Sequence, residues 1–143
     1  MDLSIPLRDA LVGSVTITGN LSAYLGSYPV FTRLPVPDDA PSPLVVVSPG
    51  MSLGEEDGIK DDRPLLSRDI LIYGDNDTPA KYNTVEEIAF AVRDLFHRQR
   101  TALTVAGWTV VRITAAPPRP APVDDEQTVG RLVELSVLLA RQL

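Results

Sequence analysis

The 143-residue chain has no cysteine. That excludes a disulfide scaffold, a thiolate zinc site, an iron–sulfur cluster and a cysteine nucleophile. Histidine is almost as scarce. His97 stands alone, which leaves one candidate for a Ser–His pair and rules out a His-rich metal site. No apolar run approaches the roughly 18–20 residues of a transmembrane helix. The start, Met1-Asp2-Leu3-Ser4, lacks the basic and apolar regions of a secretory signal, so a soluble intracellular chain is expected. Also missing are Gly-x-x-x-x-Gly-Lys, Gly-x-Gly-x-x-Gly and Gly-x-Ser-x-Gly. Bases and aromatics do not cluster, which argues against a stacking platform for single strands. A net charge of −6 argues against gripping nucleic acid by charge attraction.

The length suits one domain, 1–143, and is enough to bury a substantial core. Thirteen prolines make up about 9% of the chain, against a usual ~5%. Charge is unevenly spread. Twelve of the 19 acids, and one base, Lys60, lie in four short stretches. These are Asp38-Asp39; Glu55, Glu56, Asp57, Asp61 and Asp62; Asp75 and Asp77; and Asp124-Asp125-Glu126. The stretches carry −11, and the other seven acids and twelve bases leave +5. Their proline and glycine content marks them as loops.

Leu3, Leu7, Ala10 and Leu11 are spaced as one face of a short helix over 2–12, with Ser4 as cap, Pro6 in the first turn and Gly13 as stop. Residues 14–26 fit either a strand (Val15, Ile17) or a helical turn (Leu21, Tyr24, Leu25). Val30–Leu34 reads as a strand, followed by a rigid proline-rich connection. Leu44–Ser48 reads as a buried strand, ended by Pro49-Gly50. Residues 51–64 read as a long acidic loop. In the strand predicted over 65–73, Ile70 and Ile72 share one face and Leu71 and Tyr73 the other. Gly74 to Pro79 is turn chemistry.

The clearest helix is predicted over 84–100. Asn83 or Thr84 is its cap, and Glu86 or Glu87 completes a capping box. Val85, Ile88, Ala89, Val92, Leu95 and Phe96 form its apolar stripe, with Arg98 and Arg100 in the last turn. Trp108–Thr114 is the next strand and 117–127 a second stiff, acidic loop. In the last strand, Arg131–Leu139, Val133, Leu135, Val137 and Leu139 face one way and Glu134 and Ser136 the other. The order implies an α+β fold: a mostly antiparallel sheet, helices packed on one face, and long acidic and proline-rich loops.

No constellation of catalytic residues stands out. Gly74-Asp75-Asn76-Asp77 begins like a calcium loop but is broken by Pro79-Ala80-Lys81, so a strand-to-helix turn is expected. His97, near the helix end, reads as a surface or dipole-satisfying residue rather than a general base. Glu55, Glu56, Asp57, Asp61 and Asp62 crowd like charges into a loop, unlike a catalytic carboxylate pair. Trp108 is either a core anchor or a subunit contact. No metal and no cofactor are expected. The combination fits an assembly protein better than an enzyme.

The order of segments resembles the phage tail-terminator or tail-completion proteins, including their counterparts in gene transfer particles. Nearly the whole chain takes part: Leu7-Arg8-Asp9-Ala10-Leu11, then Tyr28-Pro29-Val30, then Ser42-Pro43-Leu44-Val45-Val46-Val47. There follow Ile70-Leu71-Ile72-Tyr73, the helix from Val85 to Leu95, the strand after Gly107-Trp108, and Gly130-Arg131-Leu132-Val133-Glu134-Leu135. The strand before the main helix ends in Tyr73-Gly74, where the family pattern has a tryptophan-containing segment. The resemblance implies a structural ring, of six copies, at the head-proximal end of a tail tube. Such a ring ends tube growth and joins the head connector; a head-closure adaptor is the neighbouring alternative. It also implies the tail tube protein and the head connector or head-closure protein as partners, and assembly in the bacterial cytoplasm. DNA would pass through without specific binding. Glu55, Glu56, Asp57, Asp61, Asp62, Asp124, Asp125 and Glu126 would then face the lumen or the next ring, and Trp108 a neighbouring subunit.

Overall fold

The computed structural model describes residues 3–33, 35–48, 51–55 (main chain), 64–123 and 126–142. Helices α1 (Ser4–Val12) and α2 (Val15–Thr18) lead into strands β1 (Val30–Phe31), β2 (Leu44–Val47), β3 (Met51–Glu55) and β4 (Pro64–Asp75). Helix α3 (Pro79–Phe96) and a 3-10 turn at Arg100–Ala102 follow, then β5 (Trp108–Ala115), β6 (Arg119–Pro120) and β7 (Thr128–Arg141). The seven strands form one sheet in the order β1-β2-β4-β7-β5. Every pairing is antiparallel except β1 with β2. The fold is α+β, with the helices on one face, as the sequence pattern implies.

Two long strands, β4 and β7, form the spine, paired from Leu65↔Leu138 to Asp75↔Thr128. Each has a broken strand along its outer side. β2 and β3 run in tandem along β4, Val47 opposite Ile70 and Met51 opposite Ser67. β5 and β6 run in tandem along β7, Ala115 opposite Leu135 and Arg119 opposite Leu132. The second break falls at Pro117-Pro118, because proline supplies no N–H to a ladder. Pairing resumes where Ala121 N–H donates to the Gly130 carbonyl at 3.0 Å. Residues 51–55, expected in a loop, are thus a strand, and the 117–127 segment is partly drawn into the sheet.

The helices cover Leu66, Ile70 and Ile72 of β4 and Val133, Leu135, Val137 and Leu139 of β7. Leu3, just before α1, Leu7 and Leu11 of α1, and Val85, Ile88, Ala89, Val92 and Phe96 of α3 fill the space above them, all at most 1% exposed. Each such burial contributes about 1.5–3 kcal/mol. Leu95, on the edge of the stripe, is half-buried. β5 does not alternate simply: a bulge between Val110 and Arg112 lets both Val110 and Ile113 point into the core.

Several boundaries differ from expectation for local reasons. Leu3 precedes α1 as its cap position, with no side-chain capping bond, so Ser4 is inside the helix rather than its cap. Residues 15–18 resolve to one helical turn. The β1 strand is shorter than the expected 30–34. α3 starts five residues earlier than expected. Pro79 takes the first turn, where its missing N–H costs nothing, and Thr78 Oγ1 accepts from Lys81 N–H at 3.2 Å. Glu86 completes no capping box; it takes the guanidinium of Arg131 across the helix–sheet boundary. α3 ends at Phe96, so Arg98 and Arg100 lie beyond it. Arg98 turns the chain with φ +60.

Gly74 is a forced choice. A Cβ there would lie 2.4 Å from Val85 Cγ2, so glycine lets α3 sit down on the end of β4.

Candidate assembly surface

The helix-free face of the sheet carries the side chains that alternate away from the core. Ser67, Asp69, Leu71 and Tyr73 of β4 stand opposite Ser136, Glu134, Leu132 and Gly130 of β7. The Tyr73 ring fills the space a side chain at 130 would need, with Cε1 only 2.9 Å from an ideal Cβ position. At the centre, Asp69 and Glu134 are direct cross-strand partners. Like charges in that arrangement repel. Arg119 reaches from β6 to Glu134 Oε2 at 3.1 Å. Partial burial, then the Glu134 charge, raise the Asp69 carboxyl above its ordinary value, and Arg119 opposes them.

The lateral edge at β5 is built differently. His97 caps the end of α3, and its Nδ1 accepts from Ala115 N–H at 3.1 Å. The next residue, Arg98, donates its N–H to the Ile113 carbonyl at 2.9 Å. Two outward-pointing main-chain groups of an edge strand are thereby satisfied within the chain, which blunts this part of the edge against unplanned strand pairing. At the start of the strand, Arg141 stacks over the Trp108 ring at 5.2 Å, and Gln142 Nε2 donates to the Trp108 carbonyl at 3.3 Å. Arg98, Arg100, Arg112 and Arg141 are all exposed along or beside this edge.

Beneath the helix layer lies a third polar group. Arg131 of β7 engages Glu86 and the Tyr82 hydroxyl of α3, and its guanidinium sits 5.4 Å from the centre of the Tyr82 ring. This group ties helix to sheet.

Three of the expected site residues, Trp108, Glu126 and the main chain of Glu55, fall among the described residues. Trp108 is half-buried, packed against the core under Arg141. Glu126 is exposed and Glu55 ends β3. Glu56, Asp57, Asp61, Asp62, Asp124 and Asp125 lie outside the described residues. The sequence pattern puts Glu134 on the outer face of its strand but does not connect it to Asp69 or Arg119. Their signal is a charged residue inside an alternating strand, and only cross-strand register brings the three together.

Asp75 and Asp77 flank the strand-to-helix turn, and Asp77 pairs with Lys81 at 3.1 Å. No group of three metal-ligating side chains is gathered among the described residues. One hollow of about 270 Å³ lies against Arg8, Tyr24, Tyr28 and Phe31. A second, of about 150 Å³, lies against Pro43, Gly74 and Lys81. Small-molecule sites commonly occupy about 300–1,000 Å³. Among the described residues, no helix is long and apolar enough to cross a membrane.

No protein-family model and no curated protein sequence matches the chain. Its fold does have solved relatives. One is a chain in the virion of a native gene transfer agent particle, with a TM-score of 0.75 and 15% sequence identity. The likeness covers 97% of this chain and 95% of the other. At that identity the shared property is the fold, from end to end.

Proposed function

We propose that the chain is a structural component of a tailed, phage-like particle. Within that particle it acts as a tail terminator, a ring of six copies at the head-proximal end of the tail. The end-to-end fold likeness to a chain of a gene transfer agent virion carries this reading. The resemblance in segment order to tail-terminator and tail-completion proteins supports the finer role. In this role the ring stops growth of the tube protein below and offers a surface to the head connector above. Acidic loops turned toward the lumen let DNA pass, because carboxylates repel phosphate.

The test is removal of the chain from a particle-producing strain, followed by electron microscopy. Overlong tails, or tails detached from heads, are expected. Leaking filled heads beside normal-length tails would instead assign the chain to head closure. Normal particles would end the structural reading.

A further inference from the structure

We propose that the two lateral edges of the sheet are the two halves of one head-to-tail contact between copies of this chain. The Asp38-Asp39 loop beside β1 of one copy receives the arginine edge at β5 of the next. The inference deepens the ring reading above and rests on it for closure of the ring.

Topology provides the first argument. β1 and β5 end the sheet at opposite sides, so a contact between them uses a different surface on each copy. Such heterologous contacts propagate from copy to copy and close into rings when the rotation allows.

Charge provides the second. The loop after β1 carries Asp38 and Asp39, whereas residues 95–118 hold three arginines and no acid. Asp38 and Asp39 are exposed, as are Arg98 and Arg100. Arg33, also exposed, follows β1, and the half-buried Arg8 donates its Nε–H to the Val30 carbonyl of β1 at 3.2 Å. Matching acid to acid or arginine to arginine is repulsive, so the charges favour head-to-tail over symmetric pairing. Arginine also suits carboxylates through bidentate hydrogen bonds.

The acidic loop is held in place. Tyr24 Oη donates to Asp39 Oδ1 at 2.9 Å, and the Tyr24 ring packs edge-on against Phe31 of β1 at 5.8 Å. The adjoining turn raises Leu25 to 84% exposure with φ +49. A leucine held in the left-handed region at an exposed turn tip fits an apolar knob buried by a partner. The contact is made through side chains, since His97 and Arg98 already occupy the main chain of β5 at 113 and 115.

Two charge-reversed proteins test the pairing: Asp38→Arg with Asp39→Arg, and Arg98→Glu with Arg100→Glu. Mass photometry or sedimentation reads the assembly at about 50 mM and about 500 mM salt, where screening differs strongly. The unmodified protein is expected to form salt-sensitive oligomers. Each variant alone should associate about tenfold more weakly or worse, because both of its edges then carry one sign. An equal mixture should recover assembly, alternating the two variants. Circular dichroism confirms that each variant is folded; if one is not, the single reversals Asp38→Arg and Arg100→Glu replace the pairs.

Three results overturn the proposal. One is variants that assemble like the parent. Another is folded variants whose mixture fails to recover. The third is a parent that stays monomeric at about 100 µM, both alone and with tail tubes. Tail length in cells separates this inference from the terminator role. Unaltered assembly of the variants, with overlong tails on removal of the chain, removes the edge contact and keeps the role. Recovered mixing with normal tails on removal does the reverse.

Discussion

The N–H of Ala115 donates to Nδ1 of His97 at 3.1 Å, joining the end of α3 to the edge strand β5 across 18 residues of sequence. Ala115 is only 2% exposed, so water cannot readily replace the imidazole. His97→Ala should destabilise the fold by about 1–3 kcal/mol, the usual cost of stranding a buried donor. Denaturant unfolding measures this. An unchanged midpoint would show that the contact is dispensable. A lowered midpoint with intact assembly would mark His97 as a structural residue.

Asp69 makes a prediction about pH. Its folded carboxyl titrates above the ordinary value of 3.8, through burial and the charge of Glu134. The folded state therefore holds the Asp69 proton more tightly than the unfolded chain does. That contribution is complete below 3.8 and is lost as pH rises through the folded value. At neutral pH the charged Asp69 is a liability, so Asp69→Asn should stabilise the protein. Asp69 is only half-buried and solvent screens the repulsion, so the gain should stay below about 1 kcal/mol. It should fade as pH falls below the ordinary carboxylate range. A gain that grows on acidification would contradict the argument.

The two assignments for the start of α3 can be separated by substitution. Thr78→Ala removes the oxygen that accepts from Lys81 N–H and should cost about 0.5–2 kcal/mol. Thr84→Ala, at the position the helical pattern favoured, loses no cap, because its Oγ1 only donates back to the Ala80 carbonyl. Equal effects in thermal melts would contradict the observed cap.

Gly74 and Val85 should be coupled. Gly74→Ala drives a Cβ to within 2.4 Å of Val85 Cγ2 and should cost about 1–3 kcal/mol, as overpacking does. Val85→Ala opens the needed space at its own expense. The double substitution should therefore be less destabilising than the two single effects added. Additive effects would mean that the clash is relieved elsewhere.

The proposed lumen charge is testable in particles. Changing Asp61, Asp62, Asp124 and Asp125 to asparagine should lower particle yield or DNA transfer while leaving the purified protein folded. Unchanged yield and transfer would remove these loops from DNA passage.

Much of the fold is legible from local pattern. A period of two is enough to place Val133, Leu135, Val137 and Leu139 on one face, and the 3.6-residue stripe places Val85, Ile88, Ala89, Val92 and Phe96 on another. These patterns persist because burial rewards them wherever the element lies. Helix ends are less legible. Pro79 reads equally well as the end of a turn and the first residue of a helix, and the bond from Lys81 N–H to Thr78 Oγ1 marks it as the latter.

The surface features depend on contacts between distant residues. Nothing near Asp69 in the chain announces Glu134 or Arg119; 65 residues of register bring the first two together. Likewise the lone histidine is a scarce residue whose significance lies in the strand it meets. Composition and alternation thus determine the absence of cysteine chemistry, the α+β class and the identity of most core positions, since each is a property of single residues or short windows. Strand order, the tandem breaks beside β4 and β7, and the separation of acidic and arginine edges are decided by tertiary pairing. Hydrogen-bond register is a relation between segments, and no single segment contains it.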